Sequence, residues 1–201
     1  MQTAVFGFIQ AKCFYTHPEQ FPEFAGKKYA LISIQEPDIG NGFIFTPNDV
    51  CVDVITELFS DVDQEMVERC ERTGRTEGLH LNYVLFNCLM ARRIIEFVDK
   101  HIKTNDVDYI LIHCWAGISR SAAVAAALHK FYSGSDMIIF KSKLYSPNML
   151  VYRVMLDNLY GIFGFIESDG HAINMTQYSE YTEEYIPTIP YLETNMREEK
   201  R

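Results

Sequence analysis

The sequence predicts an α/β domain with a central, mostly parallel sheet flanked by helices. Three observations carry that expectation. YALISI (Tyr29–Ile34) and YILIH (Tyr109–His113) are short, largely apolar runs, as strands buried on both faces are. Elsewhere apolar residues recur at three- and four-residue spacings over stretches too long for strands, the mark of an amphipathic helix. Finally, strands and helices succeed one another along the chain in the manner that sets helices over a sheet.

YALISI runs into the turn-former cluster EPDIGNG, so a strand is followed by a loop. VDVITELF (Val52–Phe59) places Val52, Val54 and Leu58 on one parity and reads as a second strand. The polar DVDQEMVERCERTGRTEGLH then reads as a solvated loop or a short surface helix. Leu81, Val84, Leu85, Cys88, Ala91, Ile95, Val98 and Ile102 fall on one face of a helix of about 20 residues. KTNDVD breaks it and YILIH makes the buried strand. An alanine-rich helix follows from Ser119 to about Tyr132, ended by SGS. Residues 137–145 read as short and helical. SPNMLVYRVMLDNLYGIFGF gives a last helix, with Pro147 in the tolerated first turn and Met149, Tyr152, Val154, Leu156 and Leu159 as its apolar surface. Met149 and Met155 are core candidates. There is no internal repeat. From about Asp169 the chain turns acidic, polar and Tyr-rich, which divides it into a domain over 1–168 and a tail over 169–201. Tyr178, Tyr181, Tyr185 and Tyr191 sit among acids in that tail, which reads as solvated.

The chain has 201 residues, of which 48% are hydrophobic, enough for one ample core. No apolar run approaches the ~20 residues of a membrane span, and MQTAVFGFIQAK lacks the basic start and longer apolar core of a secretory signal. The five cysteines are odd in number, scattered and without a CxxC pair, which argues against a disulfide frame or a structural zinc site and for the reducing cytoplasm. A net charge of -9 argues against nucleic-acid binding through a general basic surface. The cysteines other than Cys114 read as buried hydrophobes, Cys88 on the inner helix face among them.

One stretch does not read as core: HCWAGISRS, His113 to Ser121, between the buried strand and the alanine-rich helix. A strand that turns through a short loop into a helix N-terminus makes an anion site, because the first helical N–H groups have no internal partner and the dipole is positive there. Ala116 and Gly117 are small enough to let the loop fold inward, so that successive amides converge. Arg120, at the far end, adds a guanidinium fork suited to two phosphate oxygens. Cys114 sits at the base of the same cradle, where whatever favours an anion favours a thiolate too.

HCWAGISRS resembles the Cys-x5-Arg signature of the cysteine-dependent protein tyrosine phosphatases. Its AG-x-SRS form is similar to the dual-specificity class. The order of elements from about residue 29 to 160 follows that family's fold loosely. The resemblance implies hydrolysis of phosphotyrosine in proteins, and of phosphoserine and phosphothreonine in the dual-specificity case, without metal or other cofactor. It implies that Cys114 is the nucleophile and forms a phosphocysteine. The phosphoryl group is held by the backbone of Trp115, Ala116, Gly117, Ile118, Ser119 and Arg120 and by the Arg120 side chain. His113 orients the loop, and Ser121 assists the sulfur as leaving group. The family's general acid is an aspartate upstream. Asp61, directly after the second strand, is the first choice and Asp63 the reserve. Asp61 lies 53 positions before Cys114, more than the usual spacing, and the polar stretch from Gln64 to His80 looks like the insertion responsible. Asp99, Asp106 and Asp108 read as surface.

The side chain of Trp115 has no assigned task, since only its amide is required. Its ring either packs under the loop or walls the pocket. Asn148 either braces the signature loop or caps a helix. Alternative substrates for the same loop are a phosphoinositide or an RNA 5′ phosphate, although such charged substrates usually call for more Lys or Arg in the loop. A non-catalytic phosphate-binding module is the alternative of a different class. The expected partner is a phosphorylated protein, with neither nucleic acid nor membrane.

Overall fold

A computed structural model of the chain describes residues 2–37, 43–73 and 83–161, apart from the side chains of Gln64 and Glu71. Four strands, β1 (Thr3–Gly7), β2 (Tyr29–Gln35), β3 (Cys51–Leu58) and β4 (Tyr109–Cys114), form one sheet in the order β1-β4-β2-β3. Every pairing is parallel. The register sets Gly7 beside Cys114 and Ser33 beside His113, so the strands end along a common edge. All residues of β2 and β4 are buried, as their continuous apolarity predicts for central parallel strands.

The described residues form six α-helices: α1 (Phe8–Thr16), α2 (Gln64–Thr73), α3 (Cys88–Thr104), α4 (Arg120–Ser133), α5 (Met137–Phe140) and α6 (Met149–Tyr160). α4 packs on β4 and β1 and is backed by α6, while α3 touches β3 and α6. The alanines of α4 explain the fit: Ala122 to Leu128 are 0% exposed, and side chains this small let the helix lie close to both neighbours. The other face carries an aromatic core of Phe6, Phe14, Tyr29, Phe45 and Tyr109, with Phe21 and Phe24 packed against it. No helix of the described residues is long and apolar enough to cross a membrane.

Several elements depart from the sequence-based expectation. β1 and α1 are additional, formed by a segment whose unbroken AVFGFI offers no period to divide strand from helix. α3 begins at Cys88, not near residue 81, because Asn87 is extended and its side chain accepts the Leu89 and Met90 amides at 3.0 and 3.2 Å. Cys88, on that first turn, is therefore half-buried, and Cys13 and Cys70 are likewise half-buried; of the four, only Cys51 is core. The buried stripe of α3 runs through Ala91, Ile94, Phe97, Val98 and His101, which leaves Ile102 on its exposed edge. On β3 it is Glu57 that is buried and Leu58 that is exposed. The Arg93 guanidinium reaches from α3 and grips both Glu57 oxygens at 2.7 and 2.6 Å, which is what lets a carboxylate lie inward on an edge strand. α2 occupies the first part of the polar stretch, started by Asp63, whose side chain accepts the Met66 amide at 2.7 Å. Of residues 137–145 only the first four are helical, and Met149, at the start of α6, is half-exposed where Met155 is core. The tail over 169–201, with its four tyrosines, lies outside the described residues, as does Leu81.

A buried polar chain ties β2 to β4 at the common edge. Gln35 Nε2 donates to Ser33 Oγ at 3.0 Å, Ser33 Oγ meets His113 Nε2 at 2.8 Å, and His113 Nδ1 meets the Cys114 carbonyl at 3.3 Å. A neutral imidazole fits this chain: Nε2 accepts from Ser33 and Nδ1–H donates to the carbonyl. Burial pushes the His113 pKa from 6.5 down to about 4. Between those values the unfolded chain binds a proton that the folded chain refuses, so stability is whole above the unfolded pKa and falls as pH drops. From pH 7 to pH 5 the wild type should lose about 2 kcal/mol more unfolding free energy than His113→Gln, read from urea titrations. An equal loss in both proteins would show that His113 is not the group responsible.

Candidate active site

Cys114 is the last residue of β4 and Arg120 the first of α4, so the loop from Trp115 to Ser119 bridges a strand end and a helix start. The loop is pressed onto the β1–α1 junction. The Phe8 amide donates to the Trp115 carbonyl at 3.0 Å. Gly117 has φ +75°, and a β-carbon there would lie 2.5 Å from the Gly7 nitrogen and 2.6 Å from the Phe6 carbonyl carbon. Both the torsion and the space demand glycine. A β-carbon on Gly7 would in turn lie 3.0 Å from the Ala116 carbonyl oxygen. On the far side the Ser146 amide donates to the Ile118 carbonyl at 3.0 Å. A trans peptide points its N–H opposite to its C=O. Tying the Trp115 and Ile118 carbonyls to the scaffold therefore turns the Ala116 and Ser119 amides away from it.

The sulfur of Cys114 is buried under this loop. The Gly117 amide donates to it at 3.3 Å, and Ser121 Oγ lies 3.1 Å from it.

Arg120 is 2% exposed. Its Nη1 donates to the Phe59 carbonyl at 2.7 Å, and Nη2 pairs with Glu36 Oε1 at 2.6 Å. Nε has no hydrogen-bond partner although it is buried, and it faces Asp61 Oδ2 at 3.9 Å. Both terminal nitrogens of the guanidinium are thus engaged, and Nε is the one left without a hydrogen bond, on the side of Asp61. Asp61 is itself held: Ser119 Oγ donates to Oδ1 at 2.7 Å and Asn148 Nδ2 donates to the same oxygen at 2.9 Å. Asn148 also donates to the Val62 carbonyl at 3.1 Å and accepts the Val151 amide at 3.1 Å. It is both a helix cap and a brace, but its side chain braces the aspartate loop and not the signature loop.

The structure brings Cys114, Arg120, Ser121, His113 and Asp61 to one place, with Ala116 and Gly117 in the loop between. Asp63 is engaged in starting α2. Asp99 accepts the Tyr132 hydroxyl, Asp106 meets His101 Nδ1 at 2.8 Å, and Asp108 accepts the Lys28 amide at 2.7 Å, all in structural bonds outside the site. Trp115 is exposed and stacks on Phe8, centroids 5.8 Å apart and planes within 5°. Sequence reasoning missed Glu36 and Ser33. Their one signal was position: both stand at the end of a buried strand beside the one that carries Cys114. The described residues hold no group of three or more His, Cys, Asp or Glu side chains fit for a metal ion.

No protein-family model matches the chain. No curated protein matches it either. Among solved structures, the human tyrosine phosphatase-like serine/threonine/tyrosine-interacting protein superposes with a TM-score of 0.51 at 18% identity, over 80% of this chain and 91% of that one. PTPMT1 in complex with PI(5)P gives a TM-score of 0.46 at 13% identity, over 80% of this chain and 92% of that one. Tk-PTP in the active form gives 0.43 at 10% identity, over 79% and 90%. At these identities the first match speaks to architecture alone: the chain has a tyrosine phosphatase-like fold.

Proposed function

We propose that the chain is a cysteine-dependent phosphoric monoester hydrolase that acts on phosphotyrosine in proteins, with phosphoserine and phosphothreonine as further substrates. The observation that carries this reading is the sulfur of Cys114 beneath a helix-start loop, touched by the Gly117 amide and Ser121 Oγ, with Arg120 the first residue of the helix that the loop enters.

A phosphate monoester enters with its nonbridging oxygens on the loop amides and on the N–H groups of Arg120 that Phe59 and Glu36 leave unused. The Cys114 thiolate attacks phosphorus, the S–P bond forms and the P–O ester bond breaks. Asp61 gives its proton to the leaving oxygen, so that a neutral alcohol or phenol departs. The amides and Arg120 hold the planar phosphoryl group as charge spreads over its oxygens. In the second step water attacks phosphorus, the Asp61 carboxylate takes the water's proton, and the S–P bond breaks. Ser121 donates to the departing sulfur, and inorganic phosphate leaves. The chain supplies every group the sequence of steps uses. Glu36 and Phe59 keep the guanidinium from swinging out, so little ordering remains when phosphate arrives. A polyanionic substrate is less favoured, since Arg120 is the loop's single cation and Glu36 already pairs with it.

The wild type should release phosphate from p-nitrophenyl phosphate without added metal, and Cys114→Ser should lower kcat on the order of 10⁴-fold. Release by the variant at the wild-type rate would remove Cys114 from the reaction. Asp61→Ala should slow phenyl phosphate, whose leaving group needs a proton, by about 100-fold, and a phosphate ester with a good leaving group far less. Equal slowing of both would move the acid's role to another residue.

A further inference from the structure

We infer that Trp115 is a specificity-determining residue whose exposed ring receives an apolar side chain next to the phosphorylated residue of a protein substrate. This rests on the phosphatase reading above and deepens it. Trp115 directly follows Cys114, so its exposed ring is carried by the loop that would hold the phosphoryl group. The loop itself has no use for the indole: it uses the residue's carbonyl, bonded by the Phe8 amide at 3.0 Å. Yet the ring is 59% exposed, unusual for the largest apolar side chain in the chain. Nor does it stand loose. Phe8 lies against it in an offset, near-parallel stack with centroids 5.8 Å apart, and Phe8 is in turn flanked by Phe45 at 6.5 Å and His113 at 6.0 Å. A backed aromatic wall loses little freedom on binding, which is how such rings contribute contact area at low entropic cost.

The surroundings choose the kind of flank. Ile118, further along the same loop, is also exposed, whereas Arg120 is buried and paired with Glu36. Asp61 and Glu36, which face Arg120 beside the cradle, are both acidic, while Lys12, one turn on from Phe8, lies over the Phe43 ring. Exposed aromatic and aliphatic groups on the loop, with carboxylates beside them, suit a phosphorylated residue with apolar neighbours. They do not suit acidic neighbours or a headgroup carrying several phosphates. An anionic membrane surface is disfavoured as the source of the phosphate by the net charge of -9.

The test compares kcat/KM of the full chain for two phosphotyrosine peptides, identical except that leucine flanks the phosphotyrosine in one and serine in the other. The wild type should prefer the leucine peptide about tenfold, the value of burying roughly 50 Å² of apolar surface. In Trp115→Ala the preference should fall to within about twofold, and Phe8→Ala, which removes the backing, should weaken it as well. The ratio is taken within one enzyme, so a general change in the loop cancels. A wild type without preference, or a Trp115→Ala variant that keeps all of it, overturns the inference even if p-nitrophenyl phosphate is hydrolysed. A higher wild-type kcat/KM for a short-chain phosphatidylinositol phosphate in micelles than for either peptide overturns it in favour of a lipid substrate. Failure to hydrolyse p-nitrophenyl phosphate would instead remove the phosphatase reading, and this inference with it.

Discussion

Two demands meet at Gly117. Its amide donates to the Cys114 sulfur at 3.3 Å, while its α-carbon lies so near the Phe6–Gly7 backbone that a β-carbon would be 2.5 Å from a main-chain nitrogen. The loop meets both only with no side chain there and with φ at +75°. Everything else about the cradle follows from that seat. β1 lies beside β4 with Gly7 opposite Cys114, which supplies the surface against which the loop folds. The Phe8 amide then ties down the Trp115 carbonyl, and α4 begins where Arg120 is carried beneath the loop.

Around this seat stand three polar groupings, each fixing a different part. Gln35, Ser33 and His113 lie below and reach the Cys114 carbonyl. Glu36 and the Phe59 carbonyl hold Arg120. Ser119 and Asn148 hold Asp61. All three bring residues from separate strands or loops to one edge of a parallel sheet, where strand ends and helix starts leave backbone groups and side chains free for chemistry. Ser119 shows the economy of the arrangement. It stands at the N-cap of α4, but its hydroxyl serves the aspartate and makes no cap bond.

The two central strands were legible because burial on both faces writes itself as continuous apolarity, and α4 because alanine, a terminating glycine and the preceding strand agree. The loop was legible because Cys114, Gly117 and Arg120 are adjacent in sequence as well as in space. What stayed hidden is what the fold brings from afar. Glu36 sat in a cluster that reads as a turn, and nothing local says that a parallel neighbour carries it to Arg120. β1 and α1 ran together because the run AVFGFI crosses their junction without a polar break. Glu57 and Leu58 exchanged their expected sides because Arg93, thirty-six positions on, neutralises the inward carboxylate. The ring of Trp115 was undecided for the same reason: its partner, Phe8, comes from the far end of the sequence.

The central claim is a covalent one, that phosphorus passes through the sulfur of Cys114. Rapid acid quench during turnover of an aryl phosphate, followed by intact-protein and peptide mass measurement, tests it most directly. The expected result is a transient gain of one phosphoryl group on the peptide that contains Cys114, absent in Cys114→Ser. Steady turnover with no phosphorylated cysteine at any quench time, or with the phosphoryl group on another residue, would contradict it.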